Sequence, residues 1–315
     1  MLEPSWLGRR VSVRRVLDHF SEGRPQFGDV VGDLVGLDAQ TAVVETRSGP
    51  IEVAVDRIAV ARLVPPSTAD ELALESVAAR GLRPGDEHRL GDWVLRANGG
   101  FTHRANSVLP LGRPDRPLDE ALQFVHDWYA GRGLPVQVHI PTEARRLLDA
   151  ELGERGWSAY QRTQLLVGRL DMLATDPAGP SVEIDPTPDD AWLALYRGGT
   201  GLTESARSLL IRHDTVGFAS LRMAGRTVAV GRGAVDDGWL GVMAVEVEPA
   251  HRREGLAAAV MAALSRWGTE RGARRGYLQV SADNAPAIAL YEKLGYWMHH
   301  EYHYRREPAE AAPRL

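Results

Sequence analysis

The chain has 315 residues, is 44% hydrophobic and 25% charged, and carries a formal net charge of −5. That is a soluble globular composition, too long for one ordinary domain and without the basic surplus of a general nucleic-acid binder. It has 0 cysteines, which excludes disulfides, thiolate catalysis and cysteine metal sites.

The first residues hold no apolar run with a cleavage site, and no stretch reaches transmembrane length, so a cytoplasmic protein without membrane contact is expected. Lys293 is the only lysine; every other residue of that class is arginine, which reads as coding bias rather than a binding device.

Residues 1–66 read as β. Arg9 to Arg14 alternates polar and apolar residues. Asp29 to Leu37, Thr41 to Thr46, Ile51 to Val55 and Ile58 to Leu63 are short β-branched runs between Gly, Asp and Ser turns. Ser48-Gly49 suits a tight hairpin. The span resembles a small SH3-like β-barrel and is the expected site for any protein partner. Val64-Pro65-Pro66-Ser67 breaks the pattern as a linker.

Residues 67–176 predict helices over Ala69–Ala79, Leu118–Gly131 and Glu143–Arg155. Strands are expected over Asp92–Ala97, Asn106–Leu111, Val136–Ile140 and Leu165–Leu170. The alternation predicts a layered α/β or α+β domain. A polar cluster runs from Gly99-Gly100 to Ser107; Arg104 and Asn106 either build that turn or face the next domain, and turn chemistry favours the former. Asp176 to Pro180 is a second linker.

Residues 177–315 repeat the order of strand and helix without close sequence similarity to the preceding segment. Here lies Val245-Glu-Val-Glu-Pro-Ala-His-Arg-Arg-Glu-Gly-Leu-Ala257, a strand, a turn and an Arg-x-x-Gly-x-Ala loop (Arg252, Gly255, Ala257) that opens a helix. Backbone amides at such a helix start attract anions, so a diphosphate ligand fits; an ordinary helix start after a Pro turn fits as well. Leu256, Val260, Leu264 and Trp267 form a stripe that packs on a sheet. About thirty residues on, Asn284-x-x-Ala287-x-x-x-Tyr291 opens a second helix, capped at Asp283 or Asn284 and ended by Gly295.

The two motifs, in this order and at this spacing, resemble those of the GNAT superfamily, the GCN5-related N-acetyltransferases. The whole chain resembles bacterial tandem-GNAT proteins with an N-terminal barrel, often labelled histone-acetyltransferase-like. The resemblance implies an α+β GNAT fold with a mixed central sheet over 177–315. It also implies a degenerate GNAT-like half over 67–176, which lacks both motifs, and the barrel before it. It further implies an acetyl-CoA cosubstrate, no metal, and transfer of an acetyl group to a small-molecule or protein amine in a ternary complex. The backbones of Val245 and Val247 are then expected to pair with the pantetheine arm. Arg252, Arg253, Glu254, Gly255, Leu256, Ala257 and Ala258 are expected to hold the diphosphate, with Asn284 contacting the coenzyme. Tyr291 is expected to protonate the leaving thiolate.

The base is less constrained. Glu246 has the strand parity opposite to Val245 and Val247; it either meets the acceptor amine or is a solvated strand carboxylate. Glu204, after the Gly198–Gly201 run, is either an acceptor-binding residue or a first-turn acid beside an N-cap at Thr203. His299, Glu301 and His303 share one strand face, but nothing completes a metal set, so a polar pocket wall or an edge strand is expected instead. The rival reading of the chain is an acyl-CoA-binding regulatory protein with little catalysis.

Overall fold

The computed structural model describes residues 2–21, 24–173, 180–200 and 202–308. Asp176 to Gly179 of the second expected linker, and Gly201 of the glycine run, lie outside the described residues. The chain divides into two compact units, residues 1–67 and 68–315.

The first unit is an antiparallel meander: β1 (Arg10–Ser21), β2 (Arg24–Leu37), β3 (Thr41–Thr46), β4 (Gly49–Ala54) and β5 (Ile58–Leu63). Val11, Val13, Val30, Leu34, Ala42, Val44 and Val53 are buried on one face, as two-residue periodicity dictates. The spatial order is β4-β3-β2-β1-β5. A 3-10 turn at Val55–Arg57 sends β5 to the far edge, where it pairs with β1 from Val11↔Leu63 to Arg15↔Ile58. No ladder joins β4 to β5 among the described residues, so the expected closed barrel is an open five-stranded sheet.

The second unit begins with α1 (Thr68–Arg80), β6 (Asp86–Leu90), β7 (Trp93–Ala97), β8 (Val108–Pro110), α2 (Leu118–Ala130), β9 (Gln137–Pro141), α3 (Arg146–Glu154) and β10 (Ser158–Arg169). It continues with β11 (Val182–Asp185), α4 (Asp190–Leu195), α5 (Glu204–Ile211), β12 (Val216–Met223), β13 (Arg226–Asp236) and β14 (Trp239–Val247). The last elements are α6 (Leu256–Glu270), β15 (Arg275–Ser281), α7 (Ala285–Lys293) and β16 (Trp297–Arg306). β6 escapes sequence inspection because four of its five residues are exposed and polar, leaving no apolar alternation.

The eleven strands form one mixed sheet in the order β11-β12-β13-β14-β15-β10-β16-β9-β8-β7-β6. Each half contains one parallel pair, β8 with β9 and β14 with β15. The halves exchange their last strands. β10, which ends the first half, pairs with β15; β16, which ends the second, pairs with β9; and β10 and β16 pair with each other. β16 is therefore an interior strand and not the expected edge or pocket wall.

The α6 stripe Leu256, Val260, Leu264 and Trp267 is buried against Leu240, Val242 and Leu278 of the sheet. Burying each large apolar side chain contributes about 1.5–3 kcal/mol. Close packing needs Gly231 on β13, where a Cβ would stand 2.6 Å from Val260 Cγ1.

A polar cluster fastens the exchanged strands. Glu75 on α1 accepts hydrogen bonds through Oε1 from His139 Nε2 on β9 and His300 Nε2 on β16, each at 3.0 Å. All three are buried, and the Tyr302 ring stacks on His139 at 3.9 Å. Burial raises the Glu75 pKa, but the two imidazoles outweigh it and hold the carboxyl well below the usual range. A lowered folded-state pKa means that this stabilisation is present above the unfolded carboxyl value and is lost as pH falls through the folded one. Glu75→Ala is expected to cost about 3 kcal/mol in urea unfolding at neutral pH. A loss below about 1 kcal/mol would show that the cluster does not hold the strands.

Candidate active site

β14 and β15 run in parallel register only from Trp239↔Arg275 to Val242↔Leu278. Beyond that point Ala244 takes a left-handed backbone, φ 57°. The β13 partners jump from Arg232↔Met243 to Val230↔Glu246, so Ala244 and Val245 together oppose Gly231. This β-bulge bends β14 away from β15 and leaves its far side without a ladder. A cleft of about 690 Å³ opens there.

The second half contributes Val245 and Glu246 from β14, Asn284 and Tyr291 from the α7 region, and Tyr196 and Arg197 ahead of α5. The first half contributes Phe101, Thr102, His103, Arg104 and Gln161. Four of the expected site residues thus share one cavity: Val245, Glu246, Asn284 and Tyr291.

Glu246 is half-buried and accepts the Arg197 backbone N–H at 3.0 Å. Burial raises its carboxyl pKa, and the Arg197 contact opposes that rise. The Tyr291 ring is half-buried and meets Tyr296 edge-on at 6.3 Å. Burial raises its phenol pKa and so keeps the hydroxyl protonated. Asn284 caps α7, accepting the Ala287 N–H through Oδ1 at 3.3 Å, which leaves its amide nitrogen free to donate.

Val247 and the loop Arg252–Ala258 lie outside the cavity lining. The loop follows a 3-10 turn at Pro249–His251, and Arg252 to Gly255 are exposed. Arg253 (φ 72°) and Gly255 (φ 81°) are left-handed. A Cβ on Gly255 would meet nothing within 4 Å, so the left-handed φ, rather than crowding, is what calls for glycine there. α6 has no side-chain cap. Its first backbone bond runs from Ala259 N to Gly255 O, and the amides from Arg253 to Ala258 find no acceptor among the described residues. Six unpaired donors in sequence stand at the positive end of a 15-residue helix, an arrangement that favours negative charge.

Glu204 is exposed, in the first turn of α5, and does not line the cavity. Thr203 Oγ1 caps that helix by accepting the Ala206 N–H at 3.3 Å. Among the described residues no group of three or more His, Asp or Glu side chains could hold a metal. His303 bonds Asp149 at 2.7 Å, and His299 bonds His300 at 2.8 Å.

The polar cluster after Gly99 serves both of its expected purposes. Asn106 Oδ1 accepts the N–H groups of Asn98 (2.7 Å) and Gly100 (2.9 Å) and builds the turn, while His103 and Arg104 reach the cavity. Gln161 was not foreseeable: it enters the cavity at a left-handed irregularity (φ 51°) in β10 that no local pattern announces.

Comparison with known proteins decides the family. The family described as "Probable histone acetyltransferase Rv0428c C-terminal" matches residues 68–305. The chain belongs to this GNAT acetyltransferase family. It is 33% identical over 320 residues to the Probable histone acetyltransferase Rv0428c of Mycobacterium tuberculosis, covering 98% of this chain and 97% of that one. It is also 28% identical over 242 residues to the Uncharacterized N-acetyltransferase YobR of Bacillus subtilis, covering 74% and 96%. A solved GCN5-related N-acetyltransferase from Kribbella flavida shares the fold, with a TM-score of 0.59 at 21% identity, over 76% of this chain and 96% of that one. The acetyltransferase fold thus spans both halves of the second unit.

The bulge is testable by stability alone. A non-glycine residue in the left-handed region costs about 1–2 kcal/mol, and β-branching worsens the clash. Ala244→Gly is expected to change urea stability by less than about 1 kcal/mol, and Ala244→Val to lower it by about 2 kcal/mol. Equal stability of the two variants would contradict the left-handed assignment.

Proposed function

We propose that the chain is an acetyl-CoA-dependent N-acetyltransferase that joins coenzyme and amine in a ternary complex. What supports this reading is the splay of β14 from β15, which leaves an unladdered strand edge beside a cleft lined by Val245, Glu246, Asn284 and Tyr291, together with the run of unpaired amides that follows β14 at the start of α6, outside that lining.

In this reading Val245 and Val247 offer backbone groups to the pantetheine arm, as an added strand. Amides from Arg253 to Ala258 hold the diphosphate, with Arg252 nearby and Glu254 and Leu256 contributing only backbone. Asn284 donates to the pantetheine side. Glu246 takes the proton of the attacking amine; its raised pKa brings it closer to neutrality than an ordinary carboxylate. Tyr291 gives its proton to the departing thiolate, whose ordinary thiol pKa is about 8.5.

The acceptor is a primary amine. The mycobacterial relative is named for histone, a protein substrate. The cavity walls from both halves favour a small amine instead, and Glu204, outside those walls, is at most a residue on the acceptor's path. Residues 67–176 act as the degenerate half that shapes the acceptor side, and residues 177–315 carry the chemistry. The N-terminal sheet is an accessory module, with Phe27, Val31 and Val60 exposed for a protein partner.

Gly255→Glu, which forces a carboxylate and a β-carbon onto the loop, is expected to abolish coenzyme A binding in calorimetry; unchanged affinity would remove the loop from the coenzyme site. Tyr291→Phe is expected to lower thiol release from acetyl-CoA by about 10²–10⁴-fold while coenzyme affinity stays. Coenzyme binding by both forms, with no amine turned over by either, would favour the regulatory reading. The acidic limb of the kcat/KM profile should lie above about pH 4.3, the ordinary glutamate value, and should vanish in Glu246→Gln. A limb that persists in that variant would assign the base elsewhere.

A further inference from the structure

Arg104, which lines the cleft, and Arg232, which lines a void behind it, have no carboxylate partner among the described residues. Arg104 lines the cleft and makes no hydrogen bond or ion pair to any described residue. Arg232, on β13, is 1% exposed. It donates to the Leu210 carbonyl (2.7 Å), the Gly81 carbonyl (3.1 Å) and Met243 Sδ (3.1 Å), and its Nη2 is buried without a partner. Both arginines line a small void of about 20 Å³ that shares Leu82, Arg104, Val242, Met243 and Gln279 with the cleft. That volume holds one oxygen-sized atom.

Among the described residues, the nearby carboxylates are engaged elsewhere. Asp236 is engaged by Arg80 (3.0 Å) and Arg83 (3.8 Å), Glu75 by its two histidines, and Glu246 by the Arg197 N–H. The surrounding phenols stay protonated: burial raises the pKa of Tyr196 and pushes that of Tyr277 up to about 12. An unpaired buried cation is costly, and an anion brought by a ligand removes that cost. The coenzyme's own diphosphate has a separate seat in the helix-start amides, outside the cleft lining.

We propose that the acceptor amine carries a carboxylate, making amino acids and similar amino-carboxylates the substrate class. Arg104 holds the carboxylate at the mouth of the void, with Arg232 behind it, while the amine faces Glu246. This rests on the acetyltransferase reading of the same cleft and adds the acceptor's chemistry to it.

The test uses the full chain saturated with coenzyme A. Calorimetry compares N-acetyl amino acids of small, apolar, polar and basic side chain with their primary amides. For at least one side chain the free carboxylate is expected to bind about ten-fold or more tightly than the amide. Arg104→Gln should bring the pair within about two-fold, leaving coenzyme affinity, melting temperature and amide binding unchanged. Arg104→Lys, which keeps the charge but not the fork, should fall between. Equal or absent binding of every pair overturns the proposal, as does a preference that survives Arg104→Gln. A uniform fall in turnover for amines with and without carboxylate also overturns it, because Arg104 would then serve the reacting carbonyl. A carboxylate preference in binding without turnover of any amine supports the anion seat and counts against the acetyltransferase reading instead.

Discussion

The exchange of β10 and β16 between the two halves is the constraint on which the second unit depends. Neither half has a complete sheet alone: β15 needs β10 from the first half, and β9 needs β16 from the second. Backbone N–H and C=O groups in a sheet interior must be paired, so breaking the exchange would strand rows of donors and acceptors. The Glu75–His139–His300 contact crosses the same junction and fixes it with charge-assisted hydrogen bonds in a buried setting. A single continuous sheet is the result, and the unit behaves as one compact body.

That continuity determines what the cleft is made of. Because β10 lies against β15, Gln161 and the turn carrying His103 and Arg104 come to the opening between β14 and β15. The first half lacks both sequence motifs, yet it lines the cleft with Phe101, Thr102, His103, Arg104 and Gln161. The second half supplies Glu246, Asn284 and Tyr291.

The sequence was most readable where chemistry is local. The helix starts at Gly255 and Asn284 need a left-handed residue and a capping side chain, and the α6 stripe needs apolar residues at helical spacing; each leaves a mark within a few positions. β3 and β5 begin and end where their β-branched runs do. Long-range pairing leaves no such mark. The exchange of β10 with β16 depends on register between segments more than a hundred residues apart, and the sheet of the first unit stays open because β5 chooses the edge of β1. Glu246 was visible as a candidate through strand parity, but the bulge at Ala244 that brings it to the cleft with Val245 was not, because nothing in an alanine announces a positive φ. Tyr196 and Arg197 were likewise overlooked in favour of Glu204, whose exposed first-turn position reflects helix capping.

The central claim is that one coenzyme spans the unladdered edge of β14, the amides at the start of α6 and the face of Tyr291. Hydrogen–deuterium exchange with and without acetyl-CoA measures this directly, because the amides from Arg253 to Ala258 have no acceptor among the described residues of the free protein. The account predicts that acetyl-CoA slows exchange at residues 245–247 and 253–258 together, and in the segment 284–291, while β1 to β5 are unaffected. Protection that falls elsewhere, or none at 253–258 under saturating coenzyme, would contradict it.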